Sequence, residues 1–173
     1  MIQRVVYAAL ASLVLTGPAA ALSCLRPDLA TTFERINAAP ETYFAIHGTL
    51  DFDETQLPKV DIDNQQATPP ETQIPARLRG EALGRIGFTR PFDGPVTLNV
   101  QCFGPWCAQP PAGDAVLAFV RQDADGFSLT LDPCGGDAFF SPAPALLDTA
   151  HRCFTDGACA PDQPQPQPQP QPE

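Results

Sequence analysis

The chain is poor in the side chains that do chemistry. It has one lysine (Lys59), one tryptophan (Trp106) and two histidines (His47 and His151). Beyond the first 21 residues only three serines remain, Ser23, Ser128 and Ser141. Neither Gly-x-Ser-x-Gly nor His-Glu-x-x-His occurs, so the motifs that pair a nucleophile with a base, or hold a catalytic zinc, are missing. Cys-x-x-Cys and paired Cys/His spacings are missing too, which removes the structural-zinc reading. Ten basic residues face 20 acidic ones for a net charge of −10, and the basic residues are scattered singly. Phosphate binding needs a basic stripe, so nucleic acid is excluded as a partner. No catalytic residue, metal or cofactor is assigned.

Long apolar runs are also lacking. The longest, Val5–Thr16, has twelve residues and follows Arg4. That is too short to cross a bilayer of about 30 Å as a helix. With Gly17-Pro18 and Ala19-Ala20-Ala21 after it, it reads as a signal peptide over residues 1–21. A lipoprotein would need Leu-Ala-Gly before Cys24, where Ala21-Leu22-Ser23 stands. Removing Arg4 with the leader leaves nine basic against 20 acidic residues, a mature charge of −11. The mature chain is expected to be exported, periplasmic or secreted, without a membrane span, and monomeric.

What the sequence has instead is cysteine in an even number. Cys24, Cys102, Cys107, Cys134, Cys153 and Cys159 all lie in the mature part. In an exported chain they read as disulfides, although six cysteines allow 15 connectivities.

Along the chain, Asp28 is placed to cap a helix carrying Leu29, Phe33 and Ile36 on one face. Thr42–Phe52 alternates like a strand, with Phe44, Ile46, Gly48, Leu50 and Phe52 inward and His47 outward. Residues 53–71 form an acidic, proline-punctuated loop. Its Asp61-x-Asp63 lacks the calcium-loop glycine (Gln66 stands there) and the bidentate glutamate (Thr72). Residues 73–88 form a strand interrupted by Gly80, Gly84 and Gly87, the kind of interruption that bends a small sheet. Arg90-Pro91 and Asp93-Gly94 read as turns.

The best-patterned stretch runs from Gly94 to Cys134. Val96, Leu98, Val100 and Cys102 alternate on one strand face. Val116, Ala118 and Val120 oppose Leu117 and Phe119 on another strand, a two-faced pattern that marks a strand covered on both sides. A hairpin at residues 123–126 leads into Phe127, Leu129 and Leu131. Ser141-Pro142 is expected to open a helix carrying Leu146, Leu147, Ala150, Cys153 and Phe154, which Gly157 ends. From Pro161 the chain reads PDQPQPQPQPQPE. It should be polyproline II reaching about 40 Å at ~3.1 Å per residue. Only Pro161 and Pro164 fit Pro-x-x-Pro, so the tail reads as a spacer rather than an SH3-type ligand.

Cys24-Leu-Arg-Pro27, Phe33 and Tyr43-Phe-Ala-Ile-His-Gly-Thr-Leu50 resemble the opening of the tissue inhibitors of metalloproteinases and netrin-like domains. Val100-Gln-Cys102, residues 115–120, residues 126–131 and Pro133-Cys134 follow in that family's order. The resemblance covers roughly residues 24–155. It implies a mainly β fold, a five- to six-stranded OB barrel over residues 22–160 with flanking N- and C-terminal helices, stapled by disulfides. The family lets Cys24 pair with the position of Cys102 or of Cys134. Cys24–Cys134 is chosen, with Cys102–Cys107 and Cys153–Cys159 closing locally. The inhibitors chelate zinc through an N-terminal cysteine within Cys-x-Cys. Here Leu22 and Ser23 precede Cys24 and the second cysteine is missing, so the chelating end departs from the family, and the resemblance implies an exported, non-catalytic binding or inhibitor-like module. By analogy the candidate binding edge is Leu22, Ser23, Leu25, Arg26 and Pro27 with Phe103 and Trp106 of the Cys102–Cys107 loop. The partner is an unidentified protein or envelope component. The competing reading is a structural envelope domain spaced by its Pro-Gln tail, and after it a small secreted hydrolase.

Overall fold

The computed structural model describes Ser23, Cys24 and residues 27–157. The expected signal peptide, Leu22, Leu25, Arg26, Cys159 and the Pro-Gln tail lie outside the described residues.

Helix α1 spans Leu29–Ala38, and Asp28 caps it by accepting a hydrogen bond from the Thr31 N–H at 2.7 Å. Seven strands follow: β1 (Thr42–Phe52), β2 (Glu71–Gly84), β3 (Gly87–Phe103), β4 (Trp106–Cys107), β5 (Ala115–Asp123), β6 (Gly126–Leu131) and β7 (Ala138–Phe140). Helix α2 closes the described chain at Pro144–Asp156. The fold is mainly β, with one more strand than the upper expectation, because β4 and β7 are stubs of two and three residues that carry no alternating pattern to read.

The pairings run β1-β2-β3-β6-β5, and β5 returns to pair with β1, so five strands form a ring. All neighbours in it are antiparallel except β3 and β6, which run parallel over Thr97–Val100 and Ser128–Leu131. The inward residues of the alternating patterns fill the ring: Ile46, Leu50, Ile74, Leu78, Leu98, Val100, Val116 and Val120 are all wholly buried.

Strand β5 is covered on both faces. Val116, Ala118 and Val120 enter the ring, whereas Leu117 and Phe119 enter a second apolar layer beneath the two helices. There they meet Leu29, Phe33 and Ile36 of α1 and Leu146, Leu147 and Ala150 of α2. Burying a side chain such as Leu117 is worth about 1.5–3 kcal/mol, so this layer is what holds the helices to the sheet. Arg35 of α1 adds an ion pair to the buried Asp137 just before β7.

Two strands approach unusually closely. Gly48 of β1 lies opposite Gly80 of β2. A Cβ at Gly48 would sit 2.1 Å from the Arg79 carbonyl oxygen, and one at Gly80 would sit 2.1 Å from that of His47.

Two sequence expectations are corrected. Arg90-Pro91 and Asp93-Gly94 are not turns but part of β3, and the chain reverses between Gly84 and Gly87. Strands accept proline where the missing N–H faces an unpaired edge. β6 covers β3 only from Thr97 to Val100, which leaves the stretch holding Pro91 and Pro95 with β2 as its one partner strand among the described residues. Asp93 pairs across that hairpin with Arg77 at 2.7 Å. Second, Ser141 does not cap α2. Its N–H is spent on the Ala115 carbonyl at 2.7 Å, extending the β7–β5 pairing. The helix starts two residues after Pro142, with Pro144 in its first turn and no side-chain cap at Ala143. Gly157, at φ 73°, ends it.

Candidate functional site

Residues Cys102–Cys107 form a tight hairpin because β3 turns back on itself: Cys102 pairs directly with Cys107, and Phe103 with Trp106. A disulfide joins Cys102 to Cys107 across that pair. The hairpin is rooted by two backbone bonds, from Cys102 N–H to the Pro70 carbonyl at 2.9 Å and from Ala108 N–H to the Gln101 carbonyl at 3.0 Å. Its tip projects outward, leaving Phe103 43% and Trp106 38% exposed.

A second disulfide, Cys24–Cys134, brings the N-terminal segment beside this hairpin across 110 residues of sequence. Of the two partners the resemblance allows Cys24, the structure pairs it with Cys134, the one chosen above, and Cys102 closes locally on Cys107. Cys153 is also disulfide-bonded. On the β6 side the bridge is held by the Cys134 N–H, which donates to the Asp132 carboxylate at 2.7 Å.

The third wall comes from the connection between β1 and β2. Glu54 accepts a hydrogen bond from the Ala112 N–H at 2.7 Å, and the Gly113 N–H donates to the Leu50 carbonyl at 2.8 Å. This ties the start of the connection to the segment before β5. Pro58, Lys59 and Val60 then face the hairpin.

Together these segments enclose an open groove of about 640 Å³ lined by Cys24, Pro58, Lys59, Val60, Pro105, Trp106, Cys107, Gln109 and Pro133. No carboxylate lines it, although the chain carries 20 acidic residues, and its one lysine does. The surface is therefore flat and apolar at the prolines and Trp106, with a cation at Lys59 and an amide at Gln109.

The structure brings part of the expected binding edge together and disperses the rest. Cys24 and Trp106 meet in the groove. Ser23 is exposed next to Cys24. Phe103 is exposed but is not part of the groove lining. Pro27 lies on the far side of the Cys24–Cys134 bridge, against Gly135 and the cleft that holds Arg35 and Asp137. Sequence reading missed Pro58, Lys59, Val60, Gln109 and Pro133. The signal for Lys59 was its place as the single lysine in an otherwise acidic loop.

Several titratable groups elsewhere make local contacts. His47 packs edge-on against Phe88 with ring centroids 5.8 Å apart, and His151 contacts the Arg85 carbonyl at 2.9 Å. Ser128 donates to Asp123. Burial, and then the nearby Asp137 carboxylate, push the Tyr43 phenol above its ordinary value. Hydrogen bonds from Thr55 hold Asp53 below the usual carboxylate range, and one from Arg77 does the same for Asp93. Among the described residues no group of three or more His, Cys, Asp or Glu is placed to hold a metal ion, and no helix is long and apolar enough to cross a membrane.

Compared with known proteins, the chain matches no family model, no curated protein and no solved structure.

Proposed function

We propose that the chain is an exported, non-catalytic binding module built on an OB-type, netrin-like barrel, and that it holds its ligand in the groove beside Trp106. One observation carries this reading. Four segments far apart in sequence, around Cys24, Lys59, Trp106 and Pro133, converge on a single open groove, and two disulfides fix its walls. A rigid, solvent-open, aromatic-bearing concavity costs little to organise when a partner arrives.

The strand order supports the barrel assignment. A five-stranded ring whose third and last strands run parallel is the arrangement expected of an OB barrel, and in that fold the connection between the first two strands is one of the ligand-holding loops. Pro58–Val60 come from that connection. The step from fold to function is an analogy. The chemistry of the lining narrows the ligand to a protein or envelope component offering a flat apolar face to Trp106 and an anionic or acceptor group to Lys59. The non-catalytic reading is supported by the separate structural contacts of His47, His151 and Ser128.

The test is capture from envelope extracts by the immobilised mature protein, compared with Trp106→Ala and Lys59→Glu. Both substitutions lie on exposed side chains, so each should reduce recovery of the same component at least fivefold while leaving the thermal midpoint unchanged. Equal recovery by all three proteins removes this groove from the binding surface.

A further inference from the structure

The molecule has a second groove, on the opposite layer, with a different character. It runs between α1 and α2, encloses about 330 Å³, and is lined by Phe33, Ile36, Tyr43, Phe44, Phe119 and Phe154. Phe154 stands at its lip, 45% exposed, although its helix neighbours Ala150 and Cys153 are buried. An apolar groove with one large aromatic side chain open at its lip is a candidate docking surface. Arg90 and Glu41 supply the charge at its rim.

The occupant is indicated by where the described chain ends. Gly157 follows Phe154 by three residues, and the next segment is Ala-Cys-Ala-Pro-Asp-Gln-Pro followed by alternating Gln and Pro. Grooves lined with aromatic rings take polyproline-II segments, because proline rings pack flat against them and the extended helix has little entropy left to lose. Three residues per turn puts Pro161 and Pro164, the single Pro-x-x-Pro pair of the tail, on one face. Asp162 lies between them, with a sign complementary to Arg90. At ~3.1 Å per residue, residues 161–173 reach about 40 Å, well beyond what a groove one turn away requires.

We propose that the Pro-Gln tail folds back onto its own domain, seating Pro161 and Pro164 among the aromatic side chains between α1 and α2 with Asp162 at Arg90. A short tether holds the tail at an effective concentration of about 1 mM or more, so a contact too weak to detect between separate molecules is populated within one chain. The groove is distinct from the one beside Trp106, and the proposal stands or falls independently of it.

The experiment compares amide chemical shifts of the mature chain with those of a chain ending at Ala160, which retains Cys159. The probe is a synthetic peptide of residues 161–173. Truncation should shift amides around Phe33, Tyr43 and Phe154, and adding the peptide should move them back. The peptide should bind the truncated chain at least tenfold more tightly than the mature one. Pro161→Ala with Pro164→Ala in the peptide should weaken binding at least fivefold, as should Phe154→Ala in the domain, where an exposed side chain can be lost without unfolding. Identical groove shifts in the two chains would overturn the proposal. So would peptide-induced shifts confined to the Trp106 groove, or concentration-dependent dimerisation through this face that the peptide does not reverse.

Discussion

Replacing Gly48 or Gly80 by alanine tests how the ring closes. Glycine inside a strand normally weakens it, and alanine there gains about 0.5–1 kcal/mol. If these glycines were ordinary weak points of the strand, both substitutions would stabilise the protein. The structure requires the opposite. A Cβ at either position meets a backbone carbonyl oxygen at 2.1 Å, and neither the Arg79 nor the His47 carbonyl can swing aside as a side chain would. In a close-packed sheet the strands must instead part by about 1 Å. At Gly48 this is felt twice, because β1 pairs there with Gly80 of β2 on one side and Val116 of β5 on the other. Overpacking costs about 1–3 kcal/mol, and each weakened ladder bond adds about 0.5–1.5 kcal/mol. Each single substitution should therefore cost about 3 kcal/mol, a large share of a typical stability of about 5–15 kcal/mol. Since one separation of the strands accommodates both methyl groups, the double variant should cost less than the sum of the two. Gly94→Ala is the control, because its Cβ would meet only the Phe92 ring at 3.6 Å, and it should leave stability unchanged or slightly raised. Urea unfolding followed by circular dichroism reads all four proteins. Gly48→Ala and Gly80→Ala variants as stable as the parent would refute the close approach.

Two further expectations concern stability. Opening the Cys24–Cys134 bridge by replacing both cysteines with alanine frees a span of 110 residues, which by chain entropy costs about 4–5 kcal/mol. With a urea slope of about 2 kcal/mol/M, the midpoint should fall by about 2 M, and a fall below about 0.5 M would contradict the estimate. Asp93 and Asp53 have folded pKa values lowered below the ordinary 3.8 by their hydrogen-bond donors. Their contribution is therefore present above that value and lost as the pH falls through it toward the folded values. The urea midpoint should drop between pH 6 and pH 3, and drop less in Asp93→Asn and Asp53→Asn. The same drop in all three proteins would show that these contacts carry no linkage.

Much of the fold could be read from pattern. The two faces of Val116–Val120 identified a strand covered on both sides, because burial on both sides suppresses polar alternation. Leu29, Phe33 and Ile36 marked the inner face of α1 for the ordinary helical reason. The errors arose where tertiary pairing overrides local chemistry. Arg90-Pro91 and Asp93-Gly94 are good turn sequences, yet a strand with a free edge tolerates them, and pairing with β2 extends β3 through both. Ser141 looks like a cap, but it continues the strand pairing to Ala115, a partner 26 residues away, and the helix opens two residues later from Ala143. The groove was half legible. Trp106 and Cys24 stand out by scarcity and by cysteine placement, whereas Pro58, Val60, Gln109 and Pro133 have no local signature. They reach the groove because a disulfide, the Ala112 N–H bond to the Glu54 carboxylate and the Gly113 N–H bond to the Leu50 carbonyl draw three loops together. The aromatic groove between the helices was hidden in the same way: its residues read correctly as inner faces, but the gap left between those faces depends on how the helices are seated.

If the groove beside Trp106 is where a ligand binds, the composition supplies its own reporter. Trp106 is the sole tryptophan of the chain, so once the titrant's own emission is subtracted the fluorescence change reports on the groove. The decisive measurement is the Trp106 emission as the chain without residues 1–21 is titrated with the envelope fraction that it captures. A saturable blue shift and intensity change, weakened at least fivefold by Lys59→Glu, is expected as water is displaced from the indole. Capture that saturates with no change in Trp106 emission would contradict binding in the groove.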